Sequence, residues 1–171
     1  IEYHRNCLVD IRIARIFNTY GPRMRLNDGR VLPAFIGQVL RGDDLTIFGD
    51  GSQTRSFCYI DDLIAGIDLL LNSDYSDPIN LGNPSEISIR DFAKEIIKMS
   101  GSKQKIIYKE LPMDDPKKRQ PDITKAKDIL SWEPRIDRSE GLKITYDYFN
   151  SLSEEELKKT EHNDFNKYII R

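Results

Sequence analysis

A chain of 171 residues with 39% hydrophobic and 32% charged residues can bury a core of its own, and that balance is the one expected of a soluble globular protein. A net charge of −2 excludes a surface built generically for nucleic acid or anionic membrane. No run approaches the roughly 18 apolar residues of a membrane span, and the two cysteines, Cys7 and Cys58, lack metal-ligand spacing, so they read as buried or incidental thiols of a reducing compartment.

The opening "IEYHRN" reads as the middle of a helix. With Ile rather than Met in first place, the natural start is expected to lie outside the sequence. "VDIRIARIF" (9–17) alternates apolar and polar residues and predicts a strand buried on at least one face. "NTYGPR" and "LNDGR" predict turns. "VLPAFIGQVLRG" predicts a short helix stopped by Gly42, "LTIFGDGSQ" a strand and a Gly-rich loop, and "RSFCYI" a further strand. Asp61 and Asp62 then open an apolar-periodic helix, "LIAGIDLLLNS", with acidic residues where its dipole favours them. "PINLGN" is a short strand. "SIRDFAKEIIKMSG" is a helix with Ser88 as N-cap and Gly101 as stop. "KIIYKEL" predicts a strand, "DDPKKRQPD" a polar loop, "TKAKDIL" a short helix with Trp132 behind it as a packing anchor, and "SEGLKITYDYFNSL" a helix capped by Ser139. The tail, 151–171, is charged.

Strands that alternate with helices predict an α/β fold with a mostly parallel sheet. Ligands of such folds sit outside the carboxyl ends of the strands. Asn18 and Thr19 stand at such an end, although Asn18 could equally cap its own turn. Arg23, Arg25 and Arg30 surround the first turn, Arg55 follows "FGDGSQT", and Arg119 precedes Asp122 by three residues. Guanidinium groups match phosphate geometry with paired donors, so several could converge on one diphosphate. Taken singly, each is also an ordinary solvated loop charge. "GDG" is not a phosphate loop of the GxxxxGK[ST] type and reads as a turn. The two histidines, His4 and His162, lie at opposite ends without HExxH spacing, and no Ser-His-Asp or Cys-His pattern is present. No metal site and no nucleophilic machinery are expected.

"RIARIFNTYGPRMRLNDGRVLPAFIGQVLRG", "LTIFGDGSQTRSFCYIDDLIAG", "INLGNPSEISIRDFA", "DDPKKRQPDITKAK" and "LSWEP" together resemble the UDP-glucuronate decarboxylases (UDP-xylose synthases) of the extended short-chain dehydrogenase/reductases, over about residues 1–150. The resemblance implies a Rossmann cofactor lobe and a smaller nucleotide-sugar lobe, with this chain similar to the C-terminal half. Residues 1–22 would be the last part of the cofactor lobe. Residues 23–150 would be mainly the UDP-sugar lobe, with returning Rossmann elements at about 61–100, and 151–171 the tail. The Gly-rich fingerprint and the Tyr-x-x-x-Lys pair of that family are not in this sequence. Catalytic proton-transfer residues are therefore expected outside it, and the chain alone should be inactive.

The resemblance also implies a reaction. NAD takes hydride from C4 of UDP-glucuronate, and the resulting 4-ketone lies β to the C6 carboxylate. Loss of CO2 gives an enolate, which is protonated, and hydride returns to give UDP-xylose. On the substrate side it implies Asn18, Arg55 and Arg119 at the diphosphate and sugar, Asp122 at a ribose hydroxyl, Thr46, Phe48 and Val31 around the uracil, and Tyr3. On the cofactor side it implies Thr19, Arg25 and Arg30. The implied partner is a UDP-sugar, with no nucleic acid and no membrane. The whole protein would be a homodimer in the cytoplasm, or in the Golgi lumen if a preceding segment carries an anchor. A nucleotide-sugar 4,6-dehydratase or 4-epimerase, or a non-catalytic sugar-nucleotide-binding fragment, are the alternatives.

Overall fold

Apolar residues at helical spacing decide where the chain coils. In the computed structural model, which describes residues 9–110 and 118–161, helix α1 (Val31–Arg41) buries Leu32, Phe35, Ile36 and Val39 and stops where Gly42 takes a left-handed φ of 80°. Helix α2 (Ile60–Leu71) carries Asp61 and Asp62 in its first turn. Helix α3 (Ile89–Ser100) is capped by Ser88, whose Oγ accepts from the Asp91 N–H at 3.0 Å, and ends at Gly101. Helices α4 (Thr124–Leu130), α5 (Arg138–Asn150) and α6 (Glu154–Glu161) follow. No helix among the described residues is long and apolar enough to cross a membrane.

The strands depart further from expectation. Of "VDIRIARIF" only Ala14–Ile16 is strand (β1), paired in parallel with β6 (Ile79–Leu81). "NTYGPR" is not all turn. Thr19–Tyr20 forms β2, parallel to β5 (Cys58–Tyr59). "RSFCYI" is two strands, β4 (Thr54–Ser56) and β5, because the chain changes sheets at Phe57. β3 (Leu45–Phe48) runs parallel to β8 (Ile106–Lys109). Lys118–Arg119, expected as loop, is a strand (β9) parallel to β4, and β7 (Glu86–Ser88), not foreseen, lies on β4's other side. Strands of two to four residues are below what periodicity can detect. Ser139 is not a cap, since α5 begins at Arg138. Tyr3, His4, Cys7, "IEYHRN", the start of "DDPKKRQPD" and the end of the tail lie outside the described residues.

Two compact units interleave along the chain: 1–20, 54–87 and 118–138 form one, and 21–53, 88–117 and 139–171 the other. In the first, α2 and α4 pack on the β1–β6 pair. The core is Cys58, Leu63, Leu70, Ile79, Leu81, Ile123, Ala126, Leu130 and Trp132. Burial, with the Asp62 carboxylate nearby, pushes the Cys58 thiol up to about 12, so it acts as a packing residue. In the second, α1 and α3 pack on β3 and on each other, with the Phe35 and Phe92 rings 6.3 Å apart.

Trp132 is 4% exposed, and its indole N–H donates to the Asp62 carbonyl at 2.9 Å. The Asp62 carboxylate in turn accepts from the Ile136 N–H at 3.0 Å. A Cβ on Gly66 would lie 2.9 Å from the indole, so this helix position must stay bare for the ring to fit. Trp132→Ala should cost about 3–5 kcal/mol. Trp132→Phe, which keeps a ring but strands the buried Asp62 carbonyl, should cost about 1–3 kcal/mol. Urea unfolding of each variant checks both values.

Candidate functional site

Parallel strands leave their carboxyl ends on one side, and in the first unit the end of β1 opens into a cavity of about 390 Å³ lined by Ile16, Phe17, Asn18, Arg119 and Gln120. Asn18 is half-buried, and its carbonyl accepts from the Cys58 N–H at 2.8 Å, which fixes the backbone where β1 gives way to β2. Thr19 begins β2 and donates its hydroxyl to the Phe17 carbonyl at 2.9 Å. Two segments a hundred residues apart therefore share one concavity, and it is Asn18 and Arg119 that the fold brings together.

Absence of a side chain at Gly82 permits this. A Cβ there would lie 2.7 Å from the Phe17 Cβ and 3.1 Å from the Pro121 Cγ. Phe17 precedes Asn18 and Pro121 follows Gln120, so both walls of the cavity close over this one bare backbone position. Gly82→Ala should cost about 1–3 kcal/mol by overpacking, read as a shift in the urea midpoint without a change in slope.

Arg55 and Arg119 are register partners across the parallel β4–β9 pair, so both side chains leave the same face of the sheet. Arg55 is 8% exposed and donates from Nη1 to the Thr54 carbonyl at 2.8 Å, whereas Arg119 is exposed. The Arg119 carbonyl accepts from the Ser56 hydroxyl at 3.2 Å, and that contact joins β9 to β4 beyond the ladder.

Asp122 is not in this cavity. It lines a smaller one, about 130 Å³, with Arg15, Pro78, Asn80 and Lys125. Its Oδ1 accepts from the Thr124 N–H at 2.9 Å and the Thr124 hydroxyl at 2.7 Å, at the start of α4. Those two bonds hold its carboxyl below the ordinary Asp value. A lowered folded-state value contributes stability above the unfolded value, which is lost as pH falls through the folded one. Thr124→Val should move the Asp122 carboxyl back up towards the ordinary range, a change that NMR titration of the carboxyl resonance measures.

In the second unit the residues expected around a nucleobase sit on β3 and α1. The Leu45 and Gly49 N–H groups donate to the Lys105 and Lys109 carbonyls, so Thr46 and Phe48 turn their own backbone groups to the edge away from β8. There the Thr46 N–H donates to Gln38 Oε1 at 3.1 Å, Gln38 Nε2 donates to the Thr46 hydroxyl at 3.2 Å, and Gln53 Nε2 donates to the Phe48 carbonyl at 2.8 Å. The Phe48 ring is 46% exposed and offers an aromatic surface. Val31 opens α1 and is half-buried. Arg25 is exposed. Arg30 stands at the N-cap of α1, with its backbone N–H and its Nε both donating to Asp28, at 2.9 Å and 2.6 Å. Sequence reasoning missed Gln38, Gln53, Gln120 and the spatial demand at Gly82. A glutamine in a loop or a helix carries no signal of its partner.

Among the described residues no group of His, Cys, Asp and Glu could hold a metal ion. Residues 1–82 match the NAD dependent epimerase/dehydratase family. Over 161 residues, 94% of its length, the chain is 49% identical to UDP-glucuronic acid decarboxylase 1 of Xenopus tropicalis, and the match spans 37% of that protein. It is similar to the UDP-glucuronic acid 4-epimerase of Bacillus cereus, solved with UDP-glucuronic acid and NAD. That match has a TM-score of 0.78 and 38% identity over 85% of this chain and 47% of the other. A UDP-glucose 4-epimerase of Thermotoga maritima, solved with UDP-glucose, gives a TM-score of 0.82 and 31% identity over 86% and 48%. The chain thus spans little more than a third of the decarboxylase and about half of each solved epimerase.

Proposed function

We propose that the chain belongs to the NAD dependent epimerase/dehydratase family, which residues 1–82 match, and that the whole protein converts UDP-glucuronate to UDP-xylose and CO2, with this chain holding the phosphates of the nucleotide sugar. The observation that carries the proposal is the cavity in which Asn18 and Arg119 meet, with Arg55 in register behind Arg119. A phosphate is the anion that the exposed guanidinium of Arg119 and an amide donor suit. The 49% identity to a decarboxylase over almost the whole chain favours decarboxylation over epimerisation.

NAD, bound to the whole protein, supplies hydride acceptance and return at the sugar C4. The residues of this chain do not by themselves compose its cradle. The sequence has no Gly-x-Gly-x-x-Gly run, the Thr19 hydroxyl is engaged by the Phe17 carbonyl, and Arg30 is engaged by Asp28. What the chain contributes is binding and placement. Arg119 neutralises phosphate charge, and Asn18, held by the Cys58 N–H, fixes where the sugar begins.

Arg119→Ala in the whole protein should raise the Kd for UDP about 10- to 100-fold, the loss expected of one charge-assisted hydrogen bond of about 1.5–3 kcal/mol, and leave the Kd for NAD nearly unchanged. Calorimetric titration with UDP and with NAD reads both. The same protein given UDP-glucuronate should release CO2 and form UDP-xylose without net NADH. Formation of UDP-galacturonate without CO2 would instead identify a 4-epimerase.

A further inference from the structure

We propose that Gln120 is a substrate-contacting residue, and that its side-chain carbonyl accepts a hydrogen bond from a hydroxyl of the sugar carried by the bound phosphate. The inference rests on the nucleotide-sugar reading above and adds to it a residue to which neither the sequence pattern nor the resemblance gives a role.

Gln120 lines the cavity together with Asn18 and Arg119. Its amide orientation is forced. The nearest partner is the Pro84 carbonyl, 2.8 Å from Nε2, and a carbonyl can only accept, so the NH2 group must face it. Oε1 is then directed away from Pro84 and has no hydrogen-bond partner among the described residues. The cavity therefore holds donors suited to phosphate, on Arg119 and Asn18, and beside them Gln120 Oε1, a neutral acceptor whose orientation is fixed by Pro84. A phosphate linked to a hydroxyl-bearing ring matches that set, whereas a bare phosphate leaves the acceptor unused. Asp122, the residue that the resemblance places at a ribose hydroxyl, lines the other cavity and has committed Oδ1 to Thr124. The bond to Pro84 also holds the Gln120 side chain in one orientation, which lowers the cost of ordering it when ligand arrives.

The hydroxyl could belong to the ribose or to the terminal sugar, and the test separates them. Gln120→Leu in the whole protein is titrated with UDP, 2′-deoxy-UDP and UDP-glucuronate, beside Asp122→Asn. If the ribose 2′-hydroxyl is the donor, Gln120→Leu should weaken UDP about three- to tenfold and leave 2′-deoxy-UDP nearly unchanged. If the terminal sugar supplies it, UDP-glucuronate should weaken by that factor while UDP does not. Equal weakening of all three ligands would make Gln120 a merely structural tie to the Pro84 loop and overturn the proposal. Unchanged affinity for all three would overturn it too, and loss of 2′-hydroxyl discrimination in Asp122→Asn but not in Gln120→Leu would overturn the ribose form of it. A protein that binds UDP in an Arg119-dependent way but ignores Gln120→Leu defeats this inference alone. One that does not bind UDP defeats the nucleotide-sugar reading and this inference with it.

Discussion

The candidate site depends on a side chain that is not there. At Gly82, where β6 ends, the Phe17 Cβ would lie 2.7 Å from any added Cβ and the ring of Pro121 3.1 Å from it. Real Cβ atoms do not approach so closely, so any other residue would push one wall of the cavity away. Phe17 sets the position of Asn18, and Pro121 sets that of Gln120 and Arg119. The whole set of polar groups is thus placed by close packing rather than by attraction among its members. Close packing suits the task because a packed interior yields little, and a site held that way stays within a few tenths of an ångström of one geometry.

The electrostatics follow from that placement. Parallel pairing of β4 with β9 brings Arg55 and Arg119 into register on one face of the sheet. Arg55 is buried and bound to the Thr54 carbonyl, while Arg119 is exposed at the cavity. Asp122 lies three residues from Arg119, yet Thr124 holds its carboxylate at the start of α4, in the other cavity. An acidic residue near in sequence therefore does not enter the cavity of Asn18 and Arg119, where Gln120 offers a neutral acceptor. The same economy appears in the second unit, where Gln38 and Gln53 hold the outer edge of β3 and leave the Phe48 ring on show.

Packing around Trp132 supports the core of the first unit. Its indole ties the segment after α4 to the first turn of α2 through the Asp62 carbonyl, and the Asp62 carboxylate takes the Ile136 N–H. Asp62 is one of the two acidic residues that open α2, as their place before the apolar run suggests, and its carboxylate works on backbone. Asp61, beside it, is exposed at the helix start, where the dipole favours it.

Much of this was legible in the sequence, and the legible part was local. Helix α1 with its Gly42 stop, the Ser88 cap, the acidic opening of α2 and the anchoring role of Trp132 follow from periodicity, capping chemistry and residue size, which act within a few residues. The α/β class followed from the alternation of those elements, and the family from long stretches that match in order. Tertiary structure decided what depends on distant partners. Strands as short as Thr19–Tyr20, Cys58–Tyr59 and Lys118–Arg119 exist only because a second segment offers hydrogen bonds, so nothing in their own residues announces them. The company that Asn18 and Arg119 keep, the diversion of Asp122 to Thr124 and the turning of Gln120 towards Pro84 were settled in the same way. A side chain's chemistry is written in its own residue, but its partner is chosen by the folding of the rest of the chain.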